Sequence, residues 1–182
     1  MLRLLCFLAL FVSATVNANL VEDLRSGSSI IIMRHADAPG FSDPPGYRLN
    51  DCSTQRNLGD DGRKQAAEIG QWLAAQGIQE ARVFSSPWCR CIDTATLLNK
   101  GRVTPESSLG SFFEEMSRGD KQTKGLEAFI QKQLSSGNKI PLILVSHQVN
   151  IRAFTGASVG SGQMLLVKVN KQGQAIHQRS IP

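Results

Sequence analysis

Short apolar runs recur along this chain and predict a series of β-strands. The first, Ile30-Ile31-Ile32-Met33, is long enough for a strand that is buried on both faces. A proline at position 141 is tolerated at the start of the most apolar later run. The predicted strands cover residues 29–33, 82–85, a short segment at 103, 141–146, and a terminal hairpin of 163–169 and 174–179 that turns near 170–173.

Segments with helical spacing of apolar residues separate these strands. Ala66, Ile69 and Leu73 define a helix that begins at Gly59 or Asp60 and ends near residue 76, before Gly77. Further helices are predicted over 88–98, through 126–134 with Gly137 as the stop, and over 149–154. Residues 36–59 and 105–120 are predicted to be irregular, and a loop as long as the first is usually functional.

The alternation of strands and helices predicts an α/β fold, namely a three-layer α/β/α sandwich around a mainly parallel sheet. Ligands bind such sheets beyond the carboxyl ends of the strands. Three predicted strands end on residues that can carry chemistry: Arg34-His35, the segment 85–90 with Arg90, and His147. The sequence therefore predicts a site where these strand ends meet.

The first 18 residues predict a secretory signal peptide. Arg3 precedes a nine-residue apolar run at 4–12, which is too short to span a bilayer, and Val16-Asn17-Ala18 suits a cleavage site. We expect a domain over residues 19–182, with no membrane span in the mature protein and a periplasmic or secreted location. The predicted signal contains one of the 20 Lys+Arg and none of the 15 Asp+Glu, so the mature net charge is +4.

This modest basic excess fits an anionic small substrate. The chain has no Arg/Lys block with interleaved aromatic residues, so nucleic acid is not the expected partner. Arg34 and Arg90 carry planar forks of donors that suit phosphate oxygens, and His35 and His147 can donate, accept or attack. Together they predict a pocket for a dianion that contains a nucleophile.

Four motifs in order resemble those of the histidine phosphatase superfamily, in the branch related to cofactor-dependent phosphoglycerate mutases. Arg34-His35-Ala36 is similar to its Arg-His-Gly motif, and Val145-Ser146-His147 is similar to its closing V-S-H-G. Residues 56–66 resemble R-x-L-T-x-x-G-x-x-Q-A, and residues 85–95 resemble S-S-P-x-x-R-x-x-x-T-A. The compact, exported form is similar to small bacterial members, including those proposed to act on lipopolysaccharide core phosphates.

The resemblance implies a phosphomonoesterase that needs no metal or other cofactor. His35 would attack phosphorus to form a phosphohistidine, which water would then hydrolyse. Arg34, Arg90 and His147 would hold the equatorial oxygens, where negative charge spreads in the transition state. Gln148, which stands where the family has glycine, would add an amide donor, and Arg56 either lines the phosphate pocket or pairs with an aspartate.

The general acid is less defined by the sequence. Family members often carry a glutamate in an L-x-E element, but here Leu109-Gly110 is followed by Ser111. We select Glu114, with Glu115 and Asp37 as alternatives, because burial beside Phe112 and Phe113 would raise a carboxyl pKa. Three other residues of the 36–59 loop, Asp43, Tyr47 and Asp51, either contact substrate or are solvated, and we expect them to be solvated. Trp88 either packs in the core or forms a wall of the site.

An exported chain can form one disulfide from Cys52, Cys89 and Cys91. Cys89 and Cys91 are too close in sequence to bond each other, so Cys52 pairs with one of them, and we favour Cys91. The spacing of these cysteines does not match a metal site.

Two other hypotheses compete with an exported phosphatase. A non-catalytic phosphate-binding or sensor protein would use the same pocket, and the absent L-x-E glutamate motivates that alternative. A mutase acting on cytosolic sugar acids fits poorly with export.

Overall fold

The computed structural model describes residues 14–182, and its centre is one six-stranded sheet. The strand order is β3-β2-β4-β1-β5-β6, in which β3, β2, β4 and β1 are parallel and β5 and β6 are antiparallel additions at one edge. The strands are β1 (Ser29–Arg34), β2 (Arg82–Ser85), β3 (Val103–Pro105), β4 (Leu142–Ser146), β5 (Met164–Val169) and β6 (Ala175–Ile181).

Within residues 14–182, five α-helices cover the two faces of this sheet. They are α1 (Ala14–Arg25), α2 (Asp60–Ala75), α3 (Cys89–Leu97), α4 (Gly119–Ser135) and α5 (Gln148–Thr155). One core layer joins α1, α2 and α3 to Ile31 and Met33 of β1, and the other joins α4 and α5 to Ile30 and Ile32. Successive residues of β1 thus pack into opposite layers, which explains its uninterrupted apolar sequence. The predicted three-layer α/β/α sandwich is confirmed.

Two helices differ from the sequence prediction. α1 was not predicted, because only Leu20, Val21 and Leu24 form its apolar stripe against the sheet. α4 begins at Gly119, seven residues before the first predicted position, because its first two turns are polar and carry no apolar period. The predicted signal peptide falls partly on residues 14–18 of α1, and its residues 1–13 lie outside the described part of the chain. The signal peptide stays a prediction.

The disulfide connects Cys52 to Cys89, so our preference for Cys91 was wrong. Cys89 is the first residue of α3 and lies within 5.7 Å of Cys52, measured between Cα atoms. Cys91 stands two residues later, which turns its side chain about 200° around the helix and into the core under the sheet. The disulfide therefore fastens the 36–59 loop to the segment that carries Arg90.

The 56–66 motif supports the site by close packing. A Cβ atom added at Gly62 would lie 1.9 Å from the carbonyl oxygen of Asp37. Gln65 accepts a hydrogen bond from the backbone N–H of Asp37 at 2.9 Å and donates to the carbonyl of Ser161 at 3.0 Å. Helix α2 thereby holds the backbone that directly follows His35.

We expect Gly62→Ala to destabilise the protein by about 1–3 kcal/mol, because the methyl group has no room unless α2 moves away from Asp37. Thermal or urea unfolding measures this change. Gly125→Ala is the matched control, since Gly125 lies within α4 and an added Cβ meets only Ser108, at 3.7 Å. The control should leave stability unchanged or slightly raised. Equal effects of the two substitutions would contradict the packing explanation.

Candidate active site

Three parallel strands bring the predicted site together. In the sheet, β4 lies between β2 and β1, and Arg34 at the end of β1 is in register with Ser146 at the end of β4. His35 and His147 follow these two strand ends, and the centroids of their rings lie 5.6 Å apart. The seven predicted site residues all line one cavity of about 260 Å³: Arg34, His35, Arg56, Arg90, Glu114, His147 and Gln148.

His35 is held rigidly at the base of this cavity. Its backbone N–H donates to the carbonyl of Ser146 at 3.0 Å, and its carbonyl accepts from the N–H of Gly162 at 3.0 Å. The residue is only 2% exposed, and its Nδ1 lies 2.8 Å from the carbonyl oxygen of Ala36. A carbonyl can only accept, so Nδ1 carries the proton and Nε2 keeps its lone pair.

Burial determines the charge of His35. It lowers the pKa of the imidazole to about 3, with further lowering from the positive charge of Arg90, although the hydrogen bond to Ala36 opposes this shift. The ring is therefore neutral at physiological pH. A neutral imidazole with an unprotonated Nε2 is the form that can act as a nucleophile.

The Nε2 atom of His147 lies close to two potential hydrogen-bond donors. The hydroxyl of Ser86 lies 2.7 Å from this atom, and the thiol of Cys91 lies 3.5 Å from it. Burial raises the pKa of the thiol to about 12, so Cys91 keeps its proton. Burial also lowers the pKa of His147 well below its usual value. These contacts favour a neutral ring with its proton on Nδ1, the atom then left to donate to a ligand.

Three arginines surround the histidines. Burial lowers the pKa of Arg34 and of Arg56, and the nearby charge of Arg90 lowers both further. The Nε atoms of all three guanidinium groups are buried without a hydrogen-bond partner. Arg56 also donates through Nη1 to the carbonyl of Ala38, and Arg56 lines the cavity. Such a concentration of half-buried and buried positive charge favours an anionic ligand.

Asp43 is the main residue that sequence reasoning missed, because we expected it to be solvated. Its side chain is 5% exposed and accepts from Nη1 of Arg90 at 2.8 and 3.0 Å. The indole of Trp88 and the backbone N–H of Arg56 also donate to it, at 3.1 and 2.9 Å. Burial alone would raise its pKa, but these donors lower the pKa below its usual value. The available sequence signal was an aspartate in the loop between Arg34 and Arg56.

The positive charge that remains after Asp43 is counted suits a ligand that is a dianion. At the end of the cavity that holds the two neutral histidines, three guanidinium groups and one carboxylate give a net charge of about +2. Asp43 also fixes the position of Arg90, because it holds one end of that guanidinium. Trp88 fills both roles that the sequence left open, since it packs in the core and lines the cavity.

The three candidates for the general acid differ in their position relative to the cavity. Glu114 and Glu115 are exposed and line the cavity, so the burial we expected beside Phe112 and Phe113 is not found. Tyr47 faces Glu114, and burial together with that negative charge raises the pKa of the Tyr47 phenol. Asp37 is exposed and does not line the cavity. Asp51 pairs with Arg48 at the surface, as a solvated loop residue would.

Residues 14–182 contain no group of three or more His, Cys, Asp or Glu side chains arranged to hold a metal ion. Within the same residues, no helix combines the length and apolar character that crossing a membrane requires.

Comparison with known proteins places this geometry in a family. The model of the histidine phosphatase superfamily (branch 1) matches residues 30–132, which are more than half of the chain. No curated protein matches the chain in sequence.

Solved structures share the fold at low sequence identity. A protein histidine phosphatase SixA, solved with tungstate, has 18% identity and a TM-score of 0.60 over 84% of this chain and 96% of that one. A mycobacterial glucosyl-3-phosphoglycerate phosphatase has 15% identity and a TM-score of 0.59 over 84% and 96%. A phosphoserine phosphatase from Entamoeba histolytica, solved with 3-phosphoglyceric acid, has 13% identity and a TM-score of 0.58 over 81% and 93%.

We expect Asp43→Asn to lower the free energy of unfolding by about 1–3 kcal/mol, because the charge of buried Arg90 loses its counter-charge. Urea unfolding at pH 7 measures the effect. Asp93→Asn is the control, since it breaks an exposed ion pair with Arg63 and should change stability little. A control effect as large as that of Asp43→Asn would contradict the special role of the buried pair.

The lowered pKa values predict that phosphate-free protein loses stability as the pH falls below about 6.5. The unfolded chain then takes up protons on His35 and His147, whereas folded His35 stays neutral down to about pH 3. Each such group can cost about 1.4 kcal/mol per pH unit. Asp43 adds to the loss only below about pH 3.8, because its pKa is lowered rather than raised.

Urea unfolding between pH 7 and 4.5 tests this pH dependence. His35→Asn should show a shallower decline than the unmodified protein, because one of the two buried imidazoles is gone. Parallel pH profiles of the two proteins would show that His35 is not held neutral by the fold.

Proposed function

Since this chain belongs to branch 1 of the histidine phosphatase superfamily, and is therefore an enzyme of the phosphatase class, we propose that it hydrolyses phosphomonoesters through a phosphohistidine on His35. The observation that carries the proposal is the placement of an unprotonated Nε2 of His35 in one cavity with Arg34, Arg56 and Arg90. A binding protein needs the arginines, but it has no use for a buried, neutral nucleophile among them.

In the first step, Nε2 of His35 attacks phosphorus in line with the ester oxygen. The N–P bond forms as the P–O bond to the alcohol breaks. The Nδ1–H group keeps its hydrogen bond to the carbonyl of Ala36, and this bond keeps the ring aligned. The guanidinium groups of Arg34, Arg56 and Arg90 and the Nδ1–H of His147 stabilise the equatorial oxygens, where charge spreads in the transition state. Gln148, at the start of α5 and in the cavity lining, adds an amide donor.

The leaving oxygen needs a proton, and Glu114 is the proposed donor. Its position in the cavity lining, facing Tyr47, supports this role. In the second step the same carboxylate takes a proton from water as that water attacks phosphorus. The N–P bond breaks, inorganic phosphate leaves, and His35 returns to its neutral form.

We further propose that the enzyme is exported, from the signal peptide predicted at residues 1–18. Phosphate esters outside the cytoplasm, including those of the cell envelope and lipopolysaccharide, are then within its reach. The disulfide between Cys52 and Cys89 supports this location, because such bonds persist in oxidising compartments.

The test is hydrolysis of p-nitrophenyl phosphate in the presence of a chelator. We expect turnover by the unmodified protein and a loss of at least about 1,000-fold in kcat for His35→Ala, because the nucleophile is removed. His177→Ala is the matched control, since this third histidine is exposed on β6. Rapid denaturation during turnover should trap an acid-labile phosphoryl group on His35.

No turnover by the unmodified protein, or equal turnover by His35→Ala, would overturn the phosphatase proposal. Protection of the fold by inorganic phosphate, without turnover or a trapped phosphoryl group, would instead support the non-catalytic phosphate-binding protein.

A further inference from the structure

Two exposed phenylalanines meet at the outer end of the cavity. Phe41 comes from the 36–59 loop and is 84% exposed, and Phe113 comes from the segment before α4 and is 45% exposed. Their ring centroids lie 5.5 Å apart with the planes at 83°, an edge-to-face contact. Both residues line the cavity that holds His35.

This pair differs from ordinary exposed apolar residues, which occur singly on most proteins. Within residues 20–182, only Phe41 and Phe113 among the exposed large apolar side chains both line the cavity and contact each other. The six exposed side chains in this range are Phe41, Leu49, Phe113, Met116, Ile140 and Ile176. Two segments that are 72 positions apart in sequence therefore place apolar rings at one point, where the structure leaves their faces uncovered.

Aromatic side chains continue from this pair toward the phosphate end. Tyr47, Trp88 and Phe112 line the same cavity, with the rings of Tyr47 and Trp88 6.1 Å apart. Trp88 in turn contacts His147 edge-to-face, with centroids 5.1 Å apart. A phosphate held by His147 and the arginines would therefore have its ester group directed along an aromatic wall.

We propose, resting on the phosphatase function above, that the preferred substrates are phosphomonoesters whose alcohol carries a planar aromatic ring, which stacks on Phe41 and Phe113. A ring placed there has one phenyl face and one phenyl edge to contact, the geometry that aromatic groups prefer. The cavity of about 260 Å³ suits a small molecule, since its volume lies just below the range for such sites.

The charges at this end of the cavity favour an alcohol that carries no acidic group. Glu114 and Glu115 are exposed there, while all three arginines of the phosphate site lie deeper, half-buried or buried. Arg118, which also lines the cavity, is paired with Glu115 at 3.6 Å. A carboxylate on the leaving alcohol would meet two negative side chains, and the nearby cation, Arg118, is already paired with Glu115.

A matched pair of substrates tests the proposal. Adenosine 5′-monophosphate and ribose 5-phosphate release the same 5′-oxygen, so their leaving groups are alike and they differ in the aromatic base. We expect kcat/KM to be at least about tenfold higher for adenosine 5′-monophosphate, because each stacked base contributes strongly. Phe41→Ala and Phe113→Ala should each lower this ratio by about 3- to 10-fold.

Ile176→Ala is the control, because Ile176 is equally apolar and exposed but lies on β6 outside the cavity lining. It should leave the ratio unchanged. Hydrolysis of p-nitrophenyl phosphate shows independently that the phosphatase is active, so its absence counts against the proposed function. Hydrolysis of that ester with no preference for adenosine 5′-monophosphate, or a ratio unaffected by Phe41→Ala and Phe113→Ala, overturns the aromatic preference alone.

Discussion

The hydrogen bond from the backbone N–H of His35 to the carbonyl of Ser146 extends the β1–β4 ladder one residue beyond the strand ends. The site depends on this bond, because it fixes His35 beside the strand that delivers His147. Apolar layers cover both faces of β1 and β4, so neither strand can shift its register without moving a full set of core residues into the wrong layer. The sheet therefore sets the separation of the two imidazoles with the rigidity of a packed core.

The second constraint is the cost of burying three arginines close together. Burial is the main cause of the lowered pKa values of Arg34 and Arg56, and repulsion from the charge of Arg90 lowers both further. Asp43 compensates part of this charge, and the Cys52–Cys89 disulfide holds its loop against α3. The remaining positive charge is available for a phosphoryl group. Stability and ligand binding at this site thus depend on the same electrostatic balance.

The two ends of the cavity are built from different kinds of structure and held by different interactions. The inner end is built on strand termini and is fixed by backbone hydrogen bonds and packing. Gly62 and Gln65, for example, both contact the backbone of Asp37. The outer end is built on the 36–59 loop and the segment before α4, where exposed side chains meet. The rigid inner end suits the phosphoryl-transfer chemistry that members of a family share. The outer end suits selection of the alcohol, because loops tolerate sequence changes that the sheet does not.

The sequence by itself determined the layers of the sheet and most element bounds, because the periodicity of core residues is a local pattern. It also placed Arg34, His35, Arg90 and His147 at or just after strand ends, and the sheet brings these positions to one cavity. It did not determine that Cys89 rather than Cys91 bonds Cys52, since that depends on which side of α3 each residue faces. Nor did it show that Asp43 is buried on Arg90, or that Phe41 meets Phe113. Each of these contacts joins segments far apart in the chain, and only the packing of α3, the loop and the sheet brings them within reach.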